Sequence, residues 1–297
     1  MTPTPAGELA VFEAHRALLM AHAYRMLGDF GRAEDIVQEA WLRWQRRGQE
    51  PISPRAFLVT LVTRLCLNEL NSARSRREES RSDRLPEPVD LSAGGLDRVE
   101  SLDQISMAFL VVLQRLTPAE RAVLLLRDVF DFEYSEIATL VDKTESACRK
   151  LLERARANVA SEKRLFATSR KAHERLLTAF TQAAFEGNVD ALVGLLAEDA
   201  VMITDGGPDG RRVGGVRNLR APLEGARRIA SFISATARSR DLQNELRELN
   251  GQSALVFFDD GAPFAAMSLG VADGRIHRVY FHADLERLGH VGASVDH

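Results

Sequence analysis

Apolar side chains return every three or four residues through the first half of the chain. Between positions 31 and 44, Ala33, Ile36, Val37, Ala40, Trp41 and Trp44 form one stripe. Glu34, Asp35, Gln38, Glu39 and Arg43 fall on the other side, which predicts an amphipathic helix. Another helix opens at Ser53-Pro54, a capping serine followed by proline at the first helical position, and carries Leu58, Leu61 and Leu65 inward. On it, Arg64, Asn68, Asn71 and Ser75 step by four, three and four and so share one polar face, beside Arg74, Arg76 and Arg77 at its end. The pattern breaks over about 79–100, where Leu85-Pro86-Glu87-Pro88 and a small, flexible stretch at 92–95 predict a linker. Helices resume near Ser101. Thr117-Pro118-Ala119-Glu120 is a capping box, and Val123, Leu124, Leu126, Val129 and Phe130 behind it form an expected buried face. Residues 134–138 then start a helix with Ile137, Ala138 and Val141 on one side. Thr144 caps the next helix, in which Ala147, Leu151 and Ala155 face inward. Glu145, Ser146, Arg149 and Lys150 point outward near its start, where the second helix of a helix-turn-helix presents side chains to base edges and phosphates.

The last third changes character. Helices are expected over 173–185 and 189–196, separated by Gly187, then a strand over 200–204 and a helix over 225–237. Three turn dipeptides follow: Asn250-Gly251, Asp260-Gly261 and Asp273-Gly274. Each tolerates positive φ in a two-residue hairpin. Strands over 253–258, 263–271 and 275–281 complete an antiparallel meander packed by helices, an α+β domain.

Composition narrows the class. A chain of 297 residues with 45% hydrophobic and 27% charged residues reads as an ordinary soluble protein of two or three domains. No apolar run reaches spanning length and the first residues carry no leader pattern, so a cytoplasmic protein with no membrane partner is expected. Cys66 and Cys148 lie in separate helical segments, which predicts structural thiols, no disulfide framework and no zinc site. No metal-ligand spacing occurs, and no metal or cofactor is expected. The net charge of −3 requires any nucleic-acid surface to be local.

These motifs in combination resemble a known family. Residues 31–43 look like the polymerase-clamp-binding helix of bacterial sigma factors. Residues 54–74 look like the helix that melts and reads the −10 promoter element, and the capping box with its helix-turn-helix looks like the part that reads the −35 element. With only these two DNA-reading regions, the chain resembles the extracytoplasmic-function sigma factors. The appended segment resembles a SnoaL-like domain, the cone-shaped fold shared with some polyketide cyclases and ketosteroid isomerases. Its markers are Asp205-Gly206-Gly207 after a strand and His282-Ala283-Asp284 after the last strand. The resemblance implies two all-α sigma domains, 1–80 and 101–166, joined by a linker over 81–100. A SnoaL-like regulatory domain with an antiparallel sheet follows over 171–290. There are departures. Asn68 and Asn71 stand where relatives often have Asp and Arg, and Asp142 stands where the helix-turn-helix usually has Gly. Arg84 precedes Leu85-Pro86, where an aromatic residue is common, and Pro208-Asp209-Gly210-Arg211 follows the Asp-Gly-Gly.

The implied roles are specific. Asp35, Gln38, Glu39 and Arg43 dock on core RNA polymerase, where the residues alone would equally suit solubilising charge. Arg64, Asn68, Asn71 and Arg74 line the melted −10 strand, amides bonding splayed base edges and arginines holding phosphates. Thr144, Glu145, Ser146, Arg149, Lys150 and Arg154 face the −35 duplex; without the motif around them they would read as a solvated helix face. Asp205, Gly206, Gly207, His282 and Asp284 are the polar groups of the cone mouth. They are expected to serve regulation, with a small-molecule ligand left open. The alternative there is a turn-holding role or a contact to the sigma domains. The expected function is a non-enzymatic sigma factor that directs promoter-specific initiation and is controlled in cis by its third domain. Two rivals stay open: a ligand-sensing helix-turn-helix repressor, and a SnoaL-type cyclase or isomerase whose Asp and His act as general acid and base.

Overall fold

The computed structural model describes residues 5–77, 84–90, 106–166, 168–207, 212–213, 216–217, 219, 221–237 and 243–294. The chain forms two compact units. One comprises Met1–Arg81, Arg98–Ser101 and Val112–Ser161; the other comprises Ser82–Asp97, Leu102–Val111 and Glu162–His297.

The first unit is helical. It contains α1 (Pro5–Leu27), α2 (Phe30–Gln45), α3 (Pro54–Arg77), the last turn of α4 (Met107–Arg115), α5 (Pro118–Asp128), α6 (Tyr134–Val141) and α7 (Glu145–Glu162). Local signals start these helices where the sequence placed them. Ser53 Oγ accepts from Ala56 N–H, and Thr117 and Glu120 cap α5 reciprocally. Thr144 Oγ1 accepts from Ala147 N–H at the start of α7. Asp142 ends α6 in the left-handed region at φ 53°, so its short polar side chain serves where relatives carry glycine. The core is built on Phe12, Leu19, Met26, Phe30, Trp44, Leu58 and Val62. Arg121 is buried within it and donates to the carbonyls of Leu113 (2.8 Å), Leu116 (3.3 Å) and Met26.

Several expected inward positions are exposed or only half-buried, Leu61 among them. Val129 is 43% exposed, because α5 stops at Asp128 and the turn through Asp131 (φ 58°) keeps Phe130 inward, as expected, and adds Phe132 in place of Val129. In α6, Leu140 takes the core position expected of Val141, and Ala138 is half-buried. In α7, Cys148 is fully buried while Ala147 is half-buried; the inward face is Cys148, Leu151, Leu152 and Ala155. Burial pushes both cysteine thiols up, which suits structural thiols.

His22 illustrates how tightly this unit closes. Its Nε2 donates to Thr63 Oγ1 at 2.7 Å, while the Thr63 hydroxyl donates to Val59 O. The ring stands edge-on to Phe130, with centroids 4.9 Å apart. Desolvation, aided by Arg25, lowers its pKa to about 3. A histidine whose folded pKa lies below its unfolded value favours folding fully above pH 6.5. That contribution is lost as pH falls towards 3. His22 alone is expected to cost about 2 kcal/mol by pH 5 relative to pH 8. Urea melts across that range, with and without His22→Gln, measure it.

The second unit is α+β. It contains α8 (Arg170–Glu186), α9 (Val189–Leu195), β1 (Leu196–Asp205), β2 (Arg212–Val213), β3 (Val216–Arg217), β4 (Leu223–Glu224), α10 (Ala226–Ala237), β5 (Gln243–Leu249), β6 (Gln252–Asp259), β7 (Ala262–Ala272) and β8 (Arg275–His282). The sheet order is β4-β1-β8-β7-β6-β5. β5 to β8 form the expected antiparallel meander, and Asn250-Gly251, Asp260-Gly261 and Asp273-Gly274 all take positive φ at both turn residues. The sheet as a whole is mixed: β1 runs parallel to β8, because the long connection through α10 and the meander lets the chain re-enter in the same direction. Leu177, Phe180, Leu192, Ile229 and Ile233 of the helices pack on Leu255, Met267, Leu269, Val271, Ile276 and Val279 of the sheet. No helix among the described residues is long and apolar enough to cross a membrane.

Candidate functional sites

On α2, Asp35, Gln38 and Arg43 are exposed and Glu39 is half-buried, its carboxylate accepting from Arg43 Nε at 2.7 Å. The opposite stripe holds this face in place. Ala33, Val37, Ala40 and Trp44 are buried, and Trp41 is half-buried against Phe12 with ring centroids 5.0 Å apart. On α3, Arg64, Asn68 and Asn71 are all exposed, as their spacing requires. Arg74 lies in the same helix, but its side chain falls outside the described residues. Arg64 borders a cleft of about 410 Å³ whose other wall is Ser135, Glu136, Thr139 and Leu140 of α6.

On α7, Thr144, Glu145, Ser146, Arg149 and Lys150 are exposed together over the first two turns. Arg149 donates to Glu145 at 3.0 Å. Arg154 sits two turns along, its Nε 3.2 Å from the Glu120 carboxylate, so it also braces the cap of α5. Spacing did not reveal Arg156, which grips Asp128 through Nε and Nη2 at 3.1 and 2.6 Å.

The third group, expected at the cone mouth, lies against a stretch of the chain itself. Asp205 ends β1 and His282 ends β8, and the parallel register sets them side by side. Both are buried, as are Gly207 and Asp284. Asp205, His282 and Asp284 hold a peptide, and that peptide is part of the segment expected to be a linker. Asp205 Oδ2 accepts from Leu85 N–H at 3.1 Å, while its Oδ1 accepts from Gly207 N–H at 3.0 Å. His282 Nε2 donates to Pro86 O at 2.9 Å, and Arg287 Nη1 donates to Leu85 O at 2.5 Å. Asp284 Oδ2 pairs with Arg84 Nη2 at 3.1 Å. Further along, Val89 exchanges bonds with Asn250: its N–H donates to Oδ1 at 3.2 Å and its carbonyl accepts the Asn250 N–H at 3.0 Å. Asp90 accepts from Arg247 at 3.3 Å, and its N–H donates to His290 O. Glu87 meets His290 Nδ1 at 2.5 Å. The prolines fit this pattern, since Pro86 and Pro88 lack N–H groups that would need burial partners. Leu85 anchors the segment, packing in a buried cluster with Met107, Ala108, Val111, Leu165, Ala272 and Tyr280.

Electrostatics follow from burial. Desolvation pulls the His282 pKa well below its ordinary value despite the adjacent Asp205. The ring is therefore neutral, with its proton on Nε2 towards Pro86. Gly207 is required: at φ 72°, a Cβ there would stand 2.8 Å from Asp284 Cγ. Gly207→Ala is expected to destabilise the second unit by about 1–2 kcal/mol from backbone strain alone, and by more if Asp284 is displaced from Arg84. Denaturant midpoints beside the parent measure it. Residues 208–211, which depart from the family pattern, lie outside the described residues.

Sequence reasoning placed Asp205, Gly207, His282 and Asp284 together but missed Arg84, Leu85, Asn250, Arg287 and Arg247. A usable signal was present in Leu85-Pro86-Glu87-Pro88, a rigid, apolar-anchored stretch unlike a plain spacer. Among the described residues no cluster has metal-ligand character.

The helical regions and the helix-turn-helix define the class. Residues 11–76 match the Sigma-70 region 2 family and residues 106–159 match Sigma-70, region 4. The chain is 35% identical over 252 residues to the ECF RNA polymerase sigma factor SigJ of Mycobacterium tuberculosis, covering 82% of this chain and 79% of that protein. It is 39% identical over 192 residues to a probable ECF RNA polymerase sigma factor, SigI, of the same organism, covering 63% of this chain and 66% of that one. The crystal structure of M. tuberculosis SigJ superposes with a TM-score of 0.72 at 30% identity, covering 94% of this chain and 98% of that one. The chain belongs to the extracytoplasmic-function RNA polymerase sigma factors. It is a SigJ-like member with a SnoaL-like C-terminal domain, and such proteins bind core RNA polymerase and direct transcription initiation at promoters.

Proposed function

We propose that this sigma factor divides its work among the surfaces described above and is controlled in cis by its own third domain. Asp35, Gln38, Glu39 and Arg43 dock on the polymerase clamp. Arg64, Asn68, Asn71 and Arg74 engage the −10 strand. Thr144, Glu145, Ser146, Arg149, Lys150 and Arg154 face the −35 duplex. The domains behind these roles are 1–80, 101–166 and 171–290. Asp205, His282 and Asp284 grip residues 84–90, between the two promoter-reading regions, and the Gly207 N–H braces the Asp205 carboxylate. The observation that carries the control is that grip: the backbone of Leu85, Pro86 and Val89 is bound by side chains of the sheet domain. Residues 84–90 lie between the two family matches, 11–76 and 106–159, so holding or releasing them changes the span available between those regions, at most about 3.5 Å per residue. α4 opens the region-4 match, and its first residues pack in the same cluster as Leu85.

This reading makes Asp205 and His282 peptide-holding groups rather than a catalytic pair, and it assigns no small-molecule ligand. In vitro transcription with core polymerase tests it. Loss of −35 discrimination in Arg149→Ala, and of −10 melting in Asn68→Ala with Asn71→Ala, is expected. Normal promoter use by both variants would contradict the assignment. Turnover of a small ketone that disappears in Asp205→Ala would instead support the enzyme reading.

A further inference from the structure

We propose that Tyr134 is a positioning residue for promoter reading, its ring fixing the Arg149 guanidinium at the outer face of α7. The inference rests on the assignment of Arg149 to the −35 duplex. Tyr134 is the first residue of α6 and is half-buried. Two arginines meet its ring: the guanidinium carbon of Arg149 lies 4.6 Å from the ring centroid and that of Arg127 lies 5.2 Å from it. Arg127 is itself anchored, Nη1 donating to Phe132 O at 2.7 Å and to Glu133 at 3.2 Å. The ring is thus pinned from the α5 side and offers its π system to a cation on the recognition helix.

Arg149 has a second tether. Its Nη2 donates to Glu145, one turn earlier on the same helix. An arginine on an exposed helix face otherwise samples many rotamers, and each must be given up when the fork meets a base edge. A cation–π contact draws on the charge rather than on the N–H groups, and a guanidinium has five of those, so donors remain for a base edge. Two such donors match the paired O6 and N7 acceptors of a guanine in the major groove. Tyr134 and Glu145 therefore pre-orient the fork, with only one Nη2 donor committed to Glu145. Tyr134 touches no DNA itself in this scheme, so its effect is on discrimination rather than on overall charge.

The test uses the full-length chain with core polymerase, and a promoter set in which each −35 position carries each of the four base pairs. Transcript yield is read for the parent, Arg149→Ala, Tyr134→Phe and Tyr134→Leu. The expected result is at least ~10-fold discrimination at one −35 position in the parent. Arg149→Ala abolishes it, Tyr134→Phe keeps it, and Tyr134→Leu reduces it several-fold with −10 discrimination unchanged. Should Tyr134→Leu fail to fold, phenylalanines with increasing ring fluorination at position 134 hold the volume nearly constant while weakening the π face. Discrimination is then expected to fall in step with fluorination. Parent-like discrimination in Tyr134→Leu, or no trend with fluorination, overturns the proposal while leaving the −35 role of Arg149 intact. Full discrimination in Arg149→Ala overturns both the role of Arg149 and the proposal built on it.

Discussion

Arg121→Ala is expected to lower the stability of the helical unit by about 3–5 kcal/mol, through lost hydrogen bonds to buried carbonyls and the cavity left behind. Arg121 is 5% exposed, and desolvation lowers its pKa to about 10, so it enters the core still charged at neutral pH. The cost of burying that charge is offset by three carbonyls at helix ends. Met26 O lies at the C-terminus of α1, and Leu113 O and Leu116 O lie at and just beyond the C-terminus of α4. Helix C-termini present unsatisfied carbonyls and a partial negative charge, which suits a cation. Truncation removes one donor from each of those carbonyls, of which Leu113 O keeps the Leu116 N–H; each carbonyl left unpaired where water cannot replace the arginine costs about 1–3 kcal/mol, and a cavity opens. Urea denaturation of the full chain, followed by the tryptophan fluorescence of Trp41 and Trp44, reports this unit. Arg121→Lys is expected to recover only part of the loss, because an ammonium cannot reach three divergent acceptors from one plane. A loss below about 1 kcal/mol in Arg121→Ala would show that water takes over the three carbonyls.

The second large effect concerns the peptide held by the sheet domain. His282→Ala with Arg287→Ala removes the donors to Pro86 O and Leu85 O, leaving two carbonyls unpaired in a buried site. At about 1–3 kcal/mol for each, the bound state of residues 84–90 should weaken by about 2–6 kcal/mol. Hydrogen exchange at Leu85 and Val89, whose amides are donated to Asp205 and Asn250, is the direct readout. Exchange there should quicken at least ~30-fold, while the β6–β7 core amides keep their protection, since local opening and global unfolding have separate free energies. Equal acceleration in the β6–β7 core would mean that the double variant unfolds the domain instead of releasing the segment.

The elements were legible where local chemistry decides them. Ser53, Thr117 and Thr144 start helices by satisfying orphan amides, and the Asn-Gly and Asp-Gly pairs turn the meander because they tolerate positive φ. Those signals act within four residues and can be read from the chain. β5 was not legible: Gln243–Leu249 carries Glu245, Arg247 and Glu248 because it is an edge strand whose charges find long-range partners, Arg247 with Asp90 and Glu248 with Arg170. The parallel pairing of β1 with β8 and the docking of residues 84–90 were hidden for the same reason. Each depends on contacts between positions more than 70 residues apart, and prolines that punctuate a linker look the same as prolines that fit a groove. The DNA-facing sites were legible as faces, since helical spacing fixes which residues share one. It does not fix their partners, so the bracing of Arg154 on Glu120 and of Arg149 on Tyr134 emerged only in three dimensions.

The most direct measurement is start-site-specific transcription from the protein's own upstream region with purified core polymerase, full-length chain beside His282→Ala with Arg287→Ala. A defined transcript that requires the chain is expected, with a changed yield once exchange confirms that residues 84–90 are released. No transcript with either protein, alongside tight duplex binding without polymerase, would contradict the sigma assignment for this chain. An unchanged yield after confirmed release would contradict control through the held segment.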